Sequence, residues 1–292
     1  MKRWVVTFVG SFCLLFATTP ADSTEVHVIG IAESFDGVPI SYESHGKGSI
    51  SLVFVHGWSC DTRYWRKQIP FFSAKYQVVT LDLAGHGHSG FARTQYTTKS
   101  FGYDVKAVVD ALGSERVILI GHSMGGTVAA EAAQLMPRRV VGLVGVDTLQ
   151  NVEHPLKRDE LAQMIKPFEI DFRSHTKAFV KEMIVANSDA VLVEWIINDI
   201  AAAPSQVAIS AFKEYMGQYV TGEAAMIFEQ IKVPVYCLNT DIWPTNVEAN
   251  RRHMPSFDVT IMKNLGHFPM LERPDEFNEL LNKTIVKIAK AH

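Results

Sequence analysis

The apolar run Arg116-Val117-Ile118-Leu119-Ile120 passes without a break into Gly121-His122-Ser123-Met124-Gly125-Gly126, and the helix-like stretch Thr127-Val128-Ala129-Ala130-Glu131-Ala132-Ala133 follows at once. Few junctions restrict a chain so strongly. A buried strand must turn directly into a helix, and a serine stands at the apex with a glycine two residues before it and another two residues after. Side chains at those glycines would strike the neighbouring strand or helix backbone, so only small residues fit, and the turn forces the serine side chain into the open. Ser123 is the candidate nucleophile.

The rest of the chain reads in the same idiom. Nearly continuous apolar runs, as expected of strands covered on both faces, occur at Ile50 to Val55, Gln77 to Leu81, Val117 to Ile120, Val140 to Val146, Val233 to Leu238 and Val259 to Met262. Ahead of them, Val26 to Ile31 and Ile40 to Ser44 flank Asp36-Gly37, a dipeptide suited to a tight turn, and predict an antiparallel hairpin. Helix-like stretches separate most of the runs, which gives an α/β class with a mostly parallel sheet wound by helices on both faces. With 292 residues, 47% of them apolar, and a formal net charge of −3, one large domain is expected rather than two small ones.

From about Asn151 to Gln230 helical patterns continue without a strand, at residues 172–184 and 189–202, the second punctuated by Ala201-Ala202-Ala203-Pro204. This predicts a helical insertion covering the open edge of the sheet. Ligands of such folds bind at the carboxyl ends of the strands, so the insertion is read as a lid over a pocket in preference to extra packing.

Lys2-Arg3, an apolar run from Trp4 to Ala17 and the small and polar Thr18-Thr19-Pro20-Ala21-Asp22 read as a secretory signal, residues 1–21, cut after Ala21 and followed by a mature chain of residues 22–292. A periplasmic or secreted location follows, with no stable membrane span left after the cut. No basic stripe is present, which argues against a nucleic-acid partner and for a small, weakly charged ligand. Nothing in the sequence sets the oligomeric state. Cys60 and Cys237 are expected as free thiols without a catalytic role. Eleven histidines make any one of them a poor witness, and His86-Gly87-His88 lacks the further ligands of a metal site, so no metal is predicted. The glycines around it have the wrong spacing for a dinucleotide fingerprint, and no cofactor is implied.

A serine hydroxyl needs a base to take its proton and a carboxylate to orient that base, in the chain order serine, acid, histidine. His267, in Leu265-Gly266-His267-Phe268-Pro269-Met270 after the last strand-like run, is the candidate base. Two acids qualify. Asp241 ends the run that starts at Val233 and is placed first; Asp147 ends the run Val140 to Val146, and its alternative reading is a helix cap or turn partner. The amides of Met124, opening a helix, and of Trp58, in the loop His56-Gly57-Trp58 after Val53-Phe54-Val55, are the candidate oxyanion donors. His56 is read as holding that loop in shape, and the Trp58 indole as pocket lining or packing.

These elements together resemble the α/β-hydrolase superfamily, of the single-domain type with a helical cap: His56-Gly57, Asp82-Leu83-Ala84-Gly85-His86-Gly87-His88-Ser89, Gly121-His122-Ser123-Met124-Gly125-Gly126, Asp241 and Gly266-His267 stand in the order that family shows, from about residue 26 onward. The resemblance implies an eight-stranded, mostly parallel sheet flanked by helices, a helical cap at roughly residues 151–230, and a serine hydrolase acting on a small, mainly apolar carboxylic ester or lactone through an acyl-enzyme. It also leaves open a C–C bond hydrolase, a cofactor-free peroxidase-like enzyme, or a small-molecule receptor with slow turnover. A serine at the turn argues against the halide-displacing and epoxide-opening branches. Two positions depart from the family pattern. Ala84 stands where proline or arginine is common, and Ile242-Trp243-Pro244-Thr245 changes the usual spacing from the acid to its proline.

Overall fold

The computed structural model describes residues 27–291; the expected signal, residues 1–21, lies outside the described residues. In chain order the elements are β1 (His27–Glu33), β2 (Pro39–His45), β3 (Ser51–Val55), a 3-10 turn (Thr62–Trp65), α1 (Ile69–Phe72), β4 (Gln77–Leu81), α2 (Thr98–Ala111), β5 (Val117–His122), α3 (Met124–Leu135) and β6 (Val140–Val146). Then come α4 (Arg158–Ile170), α5 (Phe172–Lys181), α6 (Ala190–Ile200), α7 (Ser205–Thr221), α8 (Glu223–Glu229), β7 (Val235–Thr240), α9 (Val247–His253), β8 (Asp258–Met262), α10 (Pro269–Glu272) and α11 (Pro274–Lys290).

The eight strands form one sheet in the order β1-β2-β4-β3-β5-β6-β7-β8. The hairpin β1/β2 and the β2/β4 pair are antiparallel, and every pair from β4/β3 to β7/β8 is parallel. β3, β5 and β6 are buried at every residue, which is why their sequences are continuous apolar runs without alternation. By contrast β2 alternates between buried and more accessible positions, the signature of a strand with one covered face. Gly37, with φ +80°, makes the β1/β2 turn.

The loop after β4 folds around one carboxylate. Asp82 accepts the amides of Thr62 (2.9 Å) and His88 (2.8 Å). A Cβ on Gly87, whose φ is +48°, would lie 2.2 Å from the same carboxylate, so only glycine lets the chain wrap this closely. Helices α4 to α8 all fall between β6 and β7. No helix among the described residues is long and apolar enough to cross a membrane.

Candidate active site

β5 delivers Ser123 to its position under strain. Its φ of 53° and ψ of −123° lie outside the regions that L-residues ordinarily occupy, at a cost on the order of 1–3 kcal/mol. The glycines on either side permit it. A Cβ on Gly121 would sit 2.1 Å from the Gly125 carbonyl oxygen, and one on Gly125 would sit 2.5 Å from that of Val55. The Ser123 amide donates to Val146 O (3.0 Å) and the Thr148 hydroxyl donates to Ser123 O (2.8 Å), so β6 and its exit loop hold the turn from one side.

His267 is buried and fixed at three points. Its amide donates to Met183 O (2.8 Å), its carbonyl accepts Nε2–H of His122 (2.8 Å), and its Nδ1 lies 2.5 Å from Asp147 Oδ2. Asp147 is 1% exposed, and its other oxygen accepts the Thr240 amide (2.8 Å) and hydroxyl (3.0 Å). A carboxylate with these three partners is fully engaged, and it sets the His267 tautomer with the proton on Nδ1 and Nε2 free to act as a base.

The acid expected first from the sequence, Asp241, is not the one against His267. It is exposed, and its carboxylate accepts the Asn264 amide (2.8 Å), bracing the turn after β8. The correction has a topological cause. β6 lies beside β5, with Val146 opposite His122, so Asp147 is the first residue past the strand end on the row next to Ser123. β7 is one strand further away and runs on to Thr240 before Asp241 begins its loop. The end of β7 therefore supplies donors to the acid instead of the acid itself.

The two expected oxyanion donors stand in the residues next to Ser123 and next to Gly57. Met124 opens the twelve-residue α3, whose dipole favours negative charge. The Gly57 backbone approaches so closely that a Cβ there would lie 3.1 Å from Ser123 Cβ. His56 accepts the Leu83 amide on Nε2 (3.0 Å) and therefore donates from Nδ1 to Gly57 O (2.8 Å), which also receives the Cys60 amide (3.2 Å). With that carbonyl held, the trans peptide points the Trp58 N–H the opposite way. Among the described residues neither the Trp58 nor the Met124 N–H donates to another protein group.

Sequence reasoning missed Glu272. It accepts the amides of Gly266 and Phe268 (3.1 Å each) and the Ser188 hydroxyl (2.7 Å), so it knits the His267 loop to the insertion. Its one sequence signal is a carboxylate six residues after Gly266, in the first turn of the following helix. Cys60 and Cys237 are buried as free thiols.

Ser123, Asp147 and His267 line a cavity of about 810 Å³ whose other walls come largely from the insertion, including Met164, Phe179, Val180, Met183, Ile200 and Phe212. The Trp58 indole both lines it and anchors it: Nε1 donates to Ala208 O of α7 (2.7 Å), and the ring meets Phe168, Phe179 and Phe212 at centroid distances of 5.5, 6.1 and 5.5 Å. Such a site can hold an apolar molecule against the Ser123 hydroxyl.

Comparison with known proteins agrees with this fold. The family model for the alpha/beta hydrolase fold matches residues 50–170. A pimeloyl-(acyl-carrier protein) methyl ester esterase from Neisseria meningitidis is 25% identical over 243 residues, covering 78% of this chain and 91% of that protein. The dihydrolipoyllysine-residue acetyltransferase component of an acetoin cleaving system from Cupriavidus necator is 34% identical over 128 residues, but the match spans only 34% of that protein's length. Among solved structures, Est816, described as an N-acyl homoserine lactone degrading enzyme, superposes with a TM-score of 0.74 at 26% identity over 87% of this chain and 99% of that one. An esterase from Exiguobacterium antarcticum, at 19% identity and a TM-score of 0.78 over 88% of this chain and 99% of that one, shares the fold.

Two measurements test this geometry. Asp147→Asn is expected to slow covalent labelling of Ser123 by a fluorophosphonate about 10³-fold or more, by analogy with loss of the orienting acid in other serine–histidine pairs. Asp241→Asn should change it less than about threefold; the reverse ranking would overturn the assignment. The second concerns pH. Burial, with repulsion from His56, pushes His86 down from 6.5 to about 3, and burial likewise lowers His56 and His122. In the unfolded chain these rings take up protons near 6.5. The folded state binds fewer protons below that value, so stability is untouched above it and falls as pH drops from about 6.5 towards 3. His86 alone should contribute about 1.4 kcal/mol per pH unit. Urea midpoints between pH 7 and 4.5 should therefore fall more steeply for the wild type than for His86→Gln, and equal slopes would contradict the neutral-histidine account.

Proposed function

We propose that this chain is a serine hydrolase of the α/β-hydrolase superfamily, whose fold model it matches over residues 50–170, and that it cleaves a small, mainly apolar carboxylic ester or lactone through an acyl-enzyme. The observation that carries the reading is the strained Ser123 beside a buried His267 whose Nδ1 is held by Asp147 at 2.5 Å, all three facing one apolar cavity. Esterases and a lactone-degrading enzyme among the similar proteins support the same substrate class.

His267 Nε2 takes the Ser123 proton as Oγ attacks the carbonyl carbon. Asp147 keeps the imidazole in the productive tautomer and stabilises the imidazolium that forms. Charge developing on the carbonyl oxygen is met by the Trp58 and Met124 amides. Collapse of the tetrahedral intermediate expels the alcohol, which receives the proton from His267 and leaves the acyl group on Ser123. Water, deprotonated by the same histidine, then releases the acid.

Turnover of p-nitrophenyl butyrate tests the reading. The wild type should hydrolyse it with a pre-steady-state burst, and Ser123→Ala and His267→Ala should each lower kcat/KM by on the order of 10⁴-fold while remaining folded. A folded wild type that binds esters, resists fluorophosphonate and shows no turnover would overturn the proposal in favour of a receptor. We further propose export, on the charged, apolar and small-residue order of residues 1–21. A mature N-terminus at Asp22, read by mass spectrometry of the periplasmic or extracellular fraction, is the expected result, and an intact Met1 the contrary one.

A further inference from the structure

The cavity has two chemically distinct ends. Towards the interior it is walled by Val180, Ile200 and Phe212, all buried. Beyond the β6 exit it is walled by Gln150, Asn151, His154, Tyr215, Tyr219 and Asn246, and of these His154 and Asn246 are exposed, so the polar end opens towards solvent. Helix α7 runs along the gradient. Phe212, Tyr215, Met216 and Tyr219 follow helical spacing on one face, and the eight residues from Phe212 to Tyr219 span about 10 Å of axis. The His154 ring meets that of Tyr219 at a centroid distance of 6.3 Å.

Gln150 marks the boundary between the two ends. Its backbone carbonyl is taken by the Asn246 amide (2.6 Å), yet its side-chain Nε2 is buried without a hydrogen-bond partner while the residue lines the cavity. Buried donors are nearly always satisfied, and one left open in a ligand cavity calls for an acceptor from the ligand or from water. The lining residues also include no Lys, Arg or Glu, and their one carboxylate, Asp147, is engaged by His267 and Thr240. A charged group brought into such a cavity would find no counter-ion.

Resting on the ester or lactone reading above, we propose that Gln150 is a specificity residue: its Nε2 donates to a neutral acceptor such as an amide or ketone carbonyl, so the substrate is an uncharged amphiphile with an apolar chain inward and a carbonyl-bearing group towards the polar end. The acceptor stands apart from the scissile carbonyl, whose oxygen belongs to the Trp58 and Met124 amides. Gln150 thus selects among esters without taking part in the chemistry.

Binding and turnover test this separately. Quenching of the cavity tryptophans, Trp58 and Trp243, is followed with hexanamide, which carries the acceptor, and with toluene, which does not. Gln150→Met keeps the length of the side chain and removes the donor. It should weaken hexanamide at least fivefold and leave toluene within twofold. Gln150→Leu, which also removes the donor, should weaken hexanamide as much and is the second variant if the first does not fold. In turnover, the variants should lose at least fivefold in kcat/KM on the methyl ester of adipic acid monoamide or on the glycolamide ester of hexanoic acid, and less than twofold on methyl hexanoate. Unchanged hexanamide binding, or equal losses on all three esters, would overturn the proposal. A wild type that binds hexanamide through Gln150 but turns over no ester would instead overturn the hydrolase reading and leave the acceptor site standing.

Discussion

The first turn of α3 lies against the exit of β3 so closely that no side chain fits between them. A Cβ on Gly125 would stand 2.5 Å from Val55 O and 2.6 Å from His56 O. That single backbone contact organises the site. It brings the start of α3, where Met124 stands, against the exit of β3, and the loop that leads from there to Trp58 passes close to Ser123 at Gly57. It also sustains the unfavourable backbone of Ser123, since relaxing the turn would drive α3 into β3. Strain on the order of 1–3 kcal/mol persists here because the fully buried β3, β5 and β6 over-determine the turn, and its effect is to keep the hydroxyl in the open.

Most of this arrangement was legible in the sequence for a stated physical reason. Strands buried on both faces, such as β3, β5 and β6, show as unbroken apolar runs, and the β1/β2 hairpin shows by its Asp36-Gly37 turn, so all eight strands were placed, with bounds that moved by a few residues. One such shift is at Pro234, which lies outside β7 and gives its carbonyl to the Leu143 amide (2.9 Å). Ser123 and His267 were legible because their backbones need small neighbours or a strand end. The acid was harder to read. Asp147 and Asp241 both follow an apolar run, and one sequence does not say which strand lies beside β5. Only the pairing of Val146 with His122 and with Leu238 does that, and it puts Asp147 next to Ser123. Glu272 escaped notice because its partners are backbone amides and Ser188, which carry no sequence signature.

The inserted helices do more than cover the cavity. Met183 of that segment accepts the His267 amide, Ala208 accepts the Trp58 indole, Ser210 accepts the Tyr96 amide (3.1 Å), and Thr98 accepts Gln218 Nε2 (2.6 Å). Arg63, beside the oxyanion loop, pairs with Asp199 of α6. Two of these bonds end on residues of the site itself. Any opening of the insertion that breaks them also loosens His267 or Trp58, which couples access to the cavity with the geometry of the base. Each neutral bond is worth about 0.5–1.5 kcal/mol net, so a full opening is a large excursion and a partial one, at the polar end, costs less.

Electrostatics set the last constraint. Burial lowers His56, His86 and His122 towards the neutral form, and Asp147 is the one carboxylate among the cavity-lining residues. In the mechanism proposed above, when His267 takes a proton the Asp147–His267 pair becomes neutral overall, and the new negative charge resides on the substrate oxygen. It is met there by two amide dipoles and the N-terminus of α3, which need no reorganisation as the charge forms. Such dipoles act strongly only where water and other charges are scarce. An apolar cavity would therefore sharpen the chemistry proposed at Ser123, and the same scarcity of charge supports the uncharged substrate proposed above.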